Sequence, residues 1–225
     1  FEKITGARMM HNYIRIGGVK EDLPEGFEDK LHDVVDELEK AIEECDELLT
    51  QNETFLARTK NVSCLTIEDA VNFGVTGPIL RSTGLIEDVR ISEPYGIYDR
   101  FDFGIPVGNT GDCWDRYYVR IQEMRESLSI IKQAIKQIEP GEVQAKMRRI
   151  VRPPQGECFV RTESPRGDLG VFLVSDGSQN PYRVKVRAPS FANLQAIKHM
   201  LEGVYVADAV VILGSLDIVL GEVDR

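Results

Sequence analysis

Leu169-Gly170-Val171-Phe172-Leu173-Val174 and Tyr182-Arg183-Val184-Lys185-Val186-Arg187 flank Asp176-Gly177-Ser178-Gln179-Asn180-Pro181. The first segment is a continuous apolar run. The second alternates apolar and basic residues with a period of two, the pattern of a half-exposed strand. Gly, Asn and Pro between them are turn residues. A β-hairpin is therefore expected here, and it excludes an all-helical fold.

Outward from the hairpin the periodicity becomes helical. Downstream, Ser190 is positioned to cap an amphipathic helix through Leu201, and Val204–Leu220 leads into the C-terminal tail. Upstream, residues 144–156 are basic and then proline-containing, as in a linker. Before them, Leu31, Val34, Leu38, Ile42, Cys45 and Leu49 form a stripe at spacings of three and four, predicting a helix from about Glu28 to Gln51. A second long helix is expected after Asp112, an N-cap supported by Asp115 in the first turn. Its stripe is Trp114, Tyr117, Ile121, Met124, Leu128, Ile131, Ile135 and Ile138, and Pro140-Gly141 ends it. The two seams predict antiparallel packing. Thr66, with Asp69 three residues on, predicts a short helix through Phe73. Residues 74–111, rich in Gly and Pro, read as a long irregular connection. Met9, Met10 and Tyr13 follow helical spacing until Gly17-Gly18 breaks it. The fold class expected is α+β: a helical bundle with a small antiparallel β-sheet. Residues 1–143 form the helical bundle region and residues 144–225 the hairpin, final helix and tail, in one structural unit.

The chain has 225 residues, of which 42% are hydrophobic and 28% charged, the balance of a globular protein. Its net charge of -10 argues against nucleic acid as a partner. Acidic residues concentrate between Glu21 and Glu47 and suit a solvated helix face. Cys45, Cys64, Cys113 and Cys158 are too far apart in sequence for a Cys-x-x-Cys site and read as buried free thiols. No apolar run approaches the roughly 20 residues of a membrane span, and no signal peptide is visible. The chain opens on Phe1 without an initiator region, so a fragment or excised domain is expected.

Three blocks concentrate unusual residues. The tail Asp217-Ile218-Val219-Leu220-Gly221-Glu222-Val223-Asp224-Arg225 places charges directly after the apolar run Ala209–Leu213. Charges there suit either a frayed end or the polar wall of an interior site. Glu163-Ser164-Pro165-Arg166-Gly167-Asp168 displays an arginine on a turn between Pro and Gly. Gly6-Ala7-Arg8-Met9-Met10-His11-Asn12-Tyr13-Ile14-Arg15-Ile16-Gly17-Gly18-Val19 carries His11. Three isolated histidines, His11, His32 and His199, make neither a metal cluster nor a triad. No Gly-x-Gly-x-x-Gly or phosphate loop occurs, so NADH and flavin are not expected to bind this chain.

These blocks carry a family resemblance. Asp217, Val219, Glu222 and Arg225 resemble a degenerate Asp-Pro-Cys-x-x-Cys-x-x-His/Arg motif, which ends the large subunit of nickel–iron hydrogenases. Here Ile218 replaces the proline, and Val219 and Glu222 replace the metal-binding cysteines. The stretch around Arg166 resembles the Glu-Ala-Pro-Arg-Gly motif of those subunits, and Arg187-Ala188-Pro189-Ser190-Phe191-Ala192-Asn193-Leu194-Gln195 resembles a further hydrogenase and complex I pattern. Together they are similar to the D-type, quinone-site subunit of the complex I (NAD(P)H:quinone oxidoreductase) family, without its N-terminal portion.

The resemblance implies a hydrogenase large-subunit-like fold in the peripheral arm of an NADH:quinone oxidoreductase, a translocase inactive as this isolated chain. Electrons from an iron–sulfur cluster on a partner subunit would reduce quinone, the substrate, in a cavity between the two proteins. Asp217, Val219, Glu222, Arg225 and Arg166 would line or brace that cavity, with Glu222 pairing Arg225. Arg8 and His11 would lie near the cluster, although many members carry their histidine at the position of Met10. No catalytic residue, metal or cofactor is assigned to the chain itself. Its partners would be the iron–sulfur subunit, other peripheral-arm subunits and the membrane arm, on the cytoplasmic or equivalent organellar face of an energy-transducing membrane. Three alternatives follow: a ferredoxin- or deazaflavin-linked dehydrogenase subunit, a membrane-bound hydrogenase, disfavoured by the missing cysteines, and a non-catalytic structural subunit.

Overall fold

The structure is a computed structural model that describes residues 1–147 and 150–224. It opens with α1 (Glu2–Thr5) and a two-stranded ribbon, β1 (Ile14–Arg15) and β2 (Gly18–Val19). Helices α2 (Phe27–Cys45), α3 (Glu53–Thr59), α4 (Ile67–Asn72), α5 (Pro78–Ser82), α6 (Val89–Ser92) and α7 (Cys113–Gln137) follow. Strands β3 (Gly156–Ser164), β4 (Gly167–Ser175) and β5 (Arg183–Arg187) then form an antiparallel sheet in that order. The chain continues through α8 (Pro189–Asn193), α9 (Ile197–Met200), α10 (Ala209–Leu216) and α11 (Leu220–Val223). This is the expected α+β class.

The two long helices form and pack as their sequences dictate. Asp112 accepts a hydrogen bond from the Asp115 amide and so caps α7. Glu39 pairs with Lys132 and Asp46 with Arg125, while Thr50 meets Tyr117 Oη at 3.1 Å. Residue numbers rise along α2 as they fall along α7, so the pair is antiparallel. Between the helices Val35, Ile42, Ile121 and Leu128 are buried, flanked by Leu31, Tyr117 and Ile131. The predicted stripe on α2 is only partly covered: Val34, Leu38 and Leu49 remain exposed. A single neighbouring helix covers a narrow seam, and the remainder of a wide apolar face rotates out of it. Beyond Cys45 the helix widens into a π-turn, Asp46–Thr50.

A larger core joins the N-terminal helices to the C-terminal ones. Leu65, Ala70, Val75, Ile79, Leu80 and Cys113 pack with Ala196, Met200, Ile212 and Leu216. Arg116, fully buried, staples this region. Its guanidinium donates to Ser215 Oγ at 2.9 Å, to the Gly111 carbonyl at 2.6 Å and to the Ser63 carbonyl at 3.1 Å. Burial holds its pKa below the usual arginine value.

Several expectations need correction. Residues 9–13 are not helical: Met10 and Asn12 have positive φ (55° and 41°), and Met9 and Met10 are exposed. Gly17-Gly18 instead belongs to the β1–β2 ribbon. The strand after residues 144–156 is not among those expected: β3 begins at Gly156 and pairs along its whole length with β4. The connection 74–111 holds α5, α6 and a 3-10 turn at Tyr98–Arg100. Ser190 lies inside α8, whose N-cap is Ala188, and the helix expected through Leu201 is interrupted by a 3-10 turn at Leu194–Ala196. Three of the four cysteines, Cys45, Cys64 and Cys158, are exposed; only Cys113 is buried.

Ile212 has no exposed surface, whereas Val34 is 47% exposed. Ile212→Ala is expected to destabilise the chain by roughly 2–5 kcal/mol. Val34→Ala should stay within about 0.5 kcal/mol of the parent. Urea unfolding of both variants measures the contrast, and equal losses would contradict the seam described.

Candidate functional site

The hairpin turn between β3 and β4 is held from three sides. Gly77 and Gly167 both have positive φ, and a Cβ on Gly77 would lie 2.5 Å from the Gly167 Cα. Only glycine permits that approach of the α5 N-terminus to the turn. Asn193, fully buried in α8, donates from Nδ2 to the Arg166 carbonyl at 3.0 Å and accepts from the Thr76 amide at 3.0 Å. The Asp168 amide in turn donates to Thr76 Oγ1 at 3.1 Å.

The turn meets the tail through Arg166. Its Nε donates to the Asp217 carbonyl at 3.0 Å and its Nη2 approaches Asp217 Oδ1 at 3.3 Å. Asp217 ends α10 in the left-handed conformation (φ 53°, ψ 52°), which side chains other than glycine adopt at some cost. Beyond it, the Val219 amide donates to Ser190 Oγ at 3.3 Å, and Glu222 Oε2 accepts from the Ser190 amide at 3.1 Å. Glu222 thereby satisfies one of the free amides in the first turn of α8. Arg225, and with it the expected Glu222–Arg225 pair, lies outside the described residues.

A cavity of about 660 Å³ opens where this turn faces the α2–α7 pair. Leu38 and Cys45 of α2 and Met124 and Leu128 of α7 give it an apolar flank. Ser164, Pro165 and Asp217 lie in its wall; Arg166, which holds Asp217, and Val219 and Glu222, which contact Ser190, do not line it.

Its polar end is built on Arg81, whose side chain is 2% exposed. Arg81 Nε donates to Glu123 at 2.6 Å, and its Nη1 donates to Glu163 at 2.9 Å and to the Glu87 carbonyl at 2.8 Å. Burial works to lower the Arg81 pKa, but Glu123 and Glu163 outweigh it and hold the guanidinium above its usual value. Burial has the opposite sign at Glu163 and pushes that carboxyl up, against the pull of Arg81. Asp88 is gripped through both oxygens by Arg90, at 2.9 and 2.6 Å, which overcomes its burial and lowers its pKa.

Of this group, sequence reasoning singled out only Glu163. Arg116, Arg120 and Glu123 recur at spacings of four and three on a helix read only for its apolar stripe. That second, charged stripe was the available signal. Arg81 likewise follows the apolar triplet Pro78-Ile79-Leu80.

Arg8 and His11 lie elsewhere, near the N-terminus. Arg8 forms an exposed pair with Glu2 at 3.1 Å. The His11 ring stacks on Phe1, with its Nδ1 within 3.2 Å of Thr5 Oγ1 and 3.1 Å of the Ala7 carbonyl. Among the described residues no group of His, Cys, Asp and Glu is arranged to hold a metal ion.

The family model for the respiratory-chain NADH dehydrogenase 49 kDa subunit matches residues 1–155 and 146–225. The chain is 50% identical over 224 residues to the D-type subunit of NADH-quinone oxidoreductase from Desulforamulus reducens, covering 100% of this chain and 61% of that relative. It is 49% identical over 233 residues to a D-type subunit of the same enzyme from Roseiflexus, covering 100% and 62%. It is 48% identical over 223 residues to the Bacillus mycoides counterpart, covering 99% and 61%. The chain thus spans about three-fifths of the length of the curated relatives it matches. With a family match along its whole length and relatives this similar, the chain belongs to the 49 kDa subunit family of respiratory-chain NADH dehydrogenases.

Proposed function

We propose that this chain is part of the quinone-site core subunit of an NADH:quinone oxidoreductase, in the peripheral arm of a complex I-type translocase. Quinone is the substrate, and electrons reach it from an iron–sulfur cluster on a partner subunit; this chain contributes cavity walls and no cofactor. One observation carries the reading. Relatives named as D-type subunits of NADH-quinone oxidoreductase match the chain end to end, through both the hairpin turn and the tail that meet at the cavity. Two features of the cavity support the substrate: its size is ordinary for a small-molecule site, and an apolar flank adjoins a charged end. The ferredoxin- and deazaflavin-linked alternatives find no support in the names of these relatives.

No helix among the described residues is long and apolar enough to cross a membrane. Attachment through other subunits accords with that, with the membrane arm as the eventual partner. The residues assigned to the site are Asp217 in the wall, with Arg166, Val219 and Glu222 bracing it; Arg225, assigned with them from the resemblance, lies outside the described residues. Arg8 and His11 would face the cluster-bearing subunit.

Two substitutions in the intact, full-length complex test this assignment. Arg166→Ala removes both contacts to Asp217, and charged hydrogen bonds contribute about 1.5–3 kcal/mol. Quinone reductase turnover is expected to fall about tenfold while the complex still assembles. Failure to assemble, or full turnover, would make Arg166 a structural turn residue. Val219→Met adds bulk in the tail two residues beyond Asp217, where overpacking costs roughly 1–3 kcal/mol. Titration with quinone-site inhibitors should show a shifted midpoint with the complex intact. An unchanged inhibition curve would place the tail outside the site.

A further inference from the structure

The pair that joins turn to tail does not hold itself in place. The side chains of Arg166 and Asp217 are 28% and 42% exposed. An ion pair that wet contributes little and spends side-chain entropy on its own geometry. The restraint comes from α8. Ser190 and Asn193 are three residues apart, so their side chains share one face of that helix. Ser190 is 1% exposed and Asn193 has no exposed surface.

One turn of helix therefore serves both members of the pair. On the tail side, Ser190 accepts from the Val219 amide through Oγ and donates its own amide to Glu222, which fixes the chain just beyond Asp217. On the turn side, Asn193 donates to the Arg166 carbonyl and accepts from the Thr76 amide, both at 3.0 Å. These partners fix the orientation of its side-chain amide. A backbone N–H can only donate, so it meets Oδ1; a carbonyl can only accept, so it meets Nδ2. The two ends of one group thus serve segments 117 and 27 residues away in sequence. A leucine of similar shape would leave both backbone groups unpaired, and an aspartate could satisfy only the Thr76 amide.

We infer that Asn193 is a positioning residue for the proposed quinone site: its hydrogen bond to the Arg166 carbonyl sets Arg166 against Asp217, while Ser190 on the same helical turn holds the tail to match. This rests on the proposed quinone reading and adds to it a residue that acts through Arg166. Neither Asn193 nor Ser190 lines the cavity. Their effect on a ligand has to pass through the Arg166–Asp217 contact, and that is what makes it measurable as a coupling.

The test is a double-mutant cycle in the assembled, full-length complex, with Asn193→Asp, Arg166→Ala and the two combined. Asn193→Asp keeps the side-chain shape and the bond from Thr76 and loses the donor to Arg166. Rates of short-chain quinone reduction are normalised to electron transfer from NADH to a hydrophilic artificial acceptor, so that incomplete assembly is not read as lost turnover. Asn193→Asp is expected to lower turnover about tenfold, as Arg166→Ala does, and to shift the midpoint of a quinone-site inhibitor in the same direction. In the combined variant the second substitution should cost less than about twofold, because Arg166→Ala has already removed what Asn193 positions. Independent effects would multiply to about a hundredfold, and that result overturns the inference. So does full turnover, or an unmoved inhibitor midpoint, in Asn193→Asp while Arg166→Ala is impaired. Should Asn193→Asp fail to assemble, Ser190→Ala, which loses only the acceptor for the Val219 amide, takes its place in the cycle. Additivity with Arg166→Ala would then overturn the inference, and a less than additive loss would support it. Full turnover of Arg166→Ala alone would sink the reading of Arg166 before any variant of α8 is made, and a parent complex without inhibitor-sensitive quinone reduction would sink the quinone reading itself.

Discussion

A guanidinium taken out of water has to be satisfied from several directions at once. Arg81 imposes that requirement on this molecule. It sits near the end of a five-residue helix, yet its partners come from α7, from β3 and from the backbone leading into α6. Helix, sheet and connecting loop therefore have to converge on one point. Glu163 is the member most exposed to failure of that convergence, because burial favours its neutral form while Arg81 favours its charged one. Asp88 escapes the same difficulty through the two-pronged grip of Arg90, whose guanidinium lies 4.8 Å from the Phe103 ring centroid.

The parts of the fold legible in the sequence are those where local chemistry decides. Asp112 and Thr66 each accept the amide three residues on, as their side chains and spacing require. The alternation of residues 182–187 reappears as a strand paired to β4. What stayed hidden was decided at long range. β3 lacks a clean alternation because Arg161 faces Asp168 and Glu163 faces Arg81, so its polar positions are inward and paired. α5 and α6 are too short for periodicity to register, and tertiary contacts set them. Met9, Met10 and Tyr13 have helical spacing, but two left-handed residues in that stretch turn the backbone away.

The candidate site shows the same division. Arg166 and Asp217 are legible as unusual residues, one on a turn and one after an apolar run, and the structure joins them across 51 residues of sequence. Arg81 and Arg120 are not, because an arginine in a helix reads by default as solvated. The tail illustrates how the motif frame persists with different chemistry: Glu222 ties the chain end to α8 by accepting a backbone hydrogen bond.

The close approach of Gly77 to Gly167 has a mechanical consequence. Side chains normally separate two backbone segments with a layer that can change rotamer and absorb small displacements. Here that layer is missing, and the Arg166 carbonyl lies within 2.6 Å of where a Gly77 Cβ would be. The turn and the start of α5 therefore have no slack between them. A shift of the tail felt at Arg166 passes into the helix that carries Arg81 as displacement of a stiff body, since nothing soft intervenes to dissipate it.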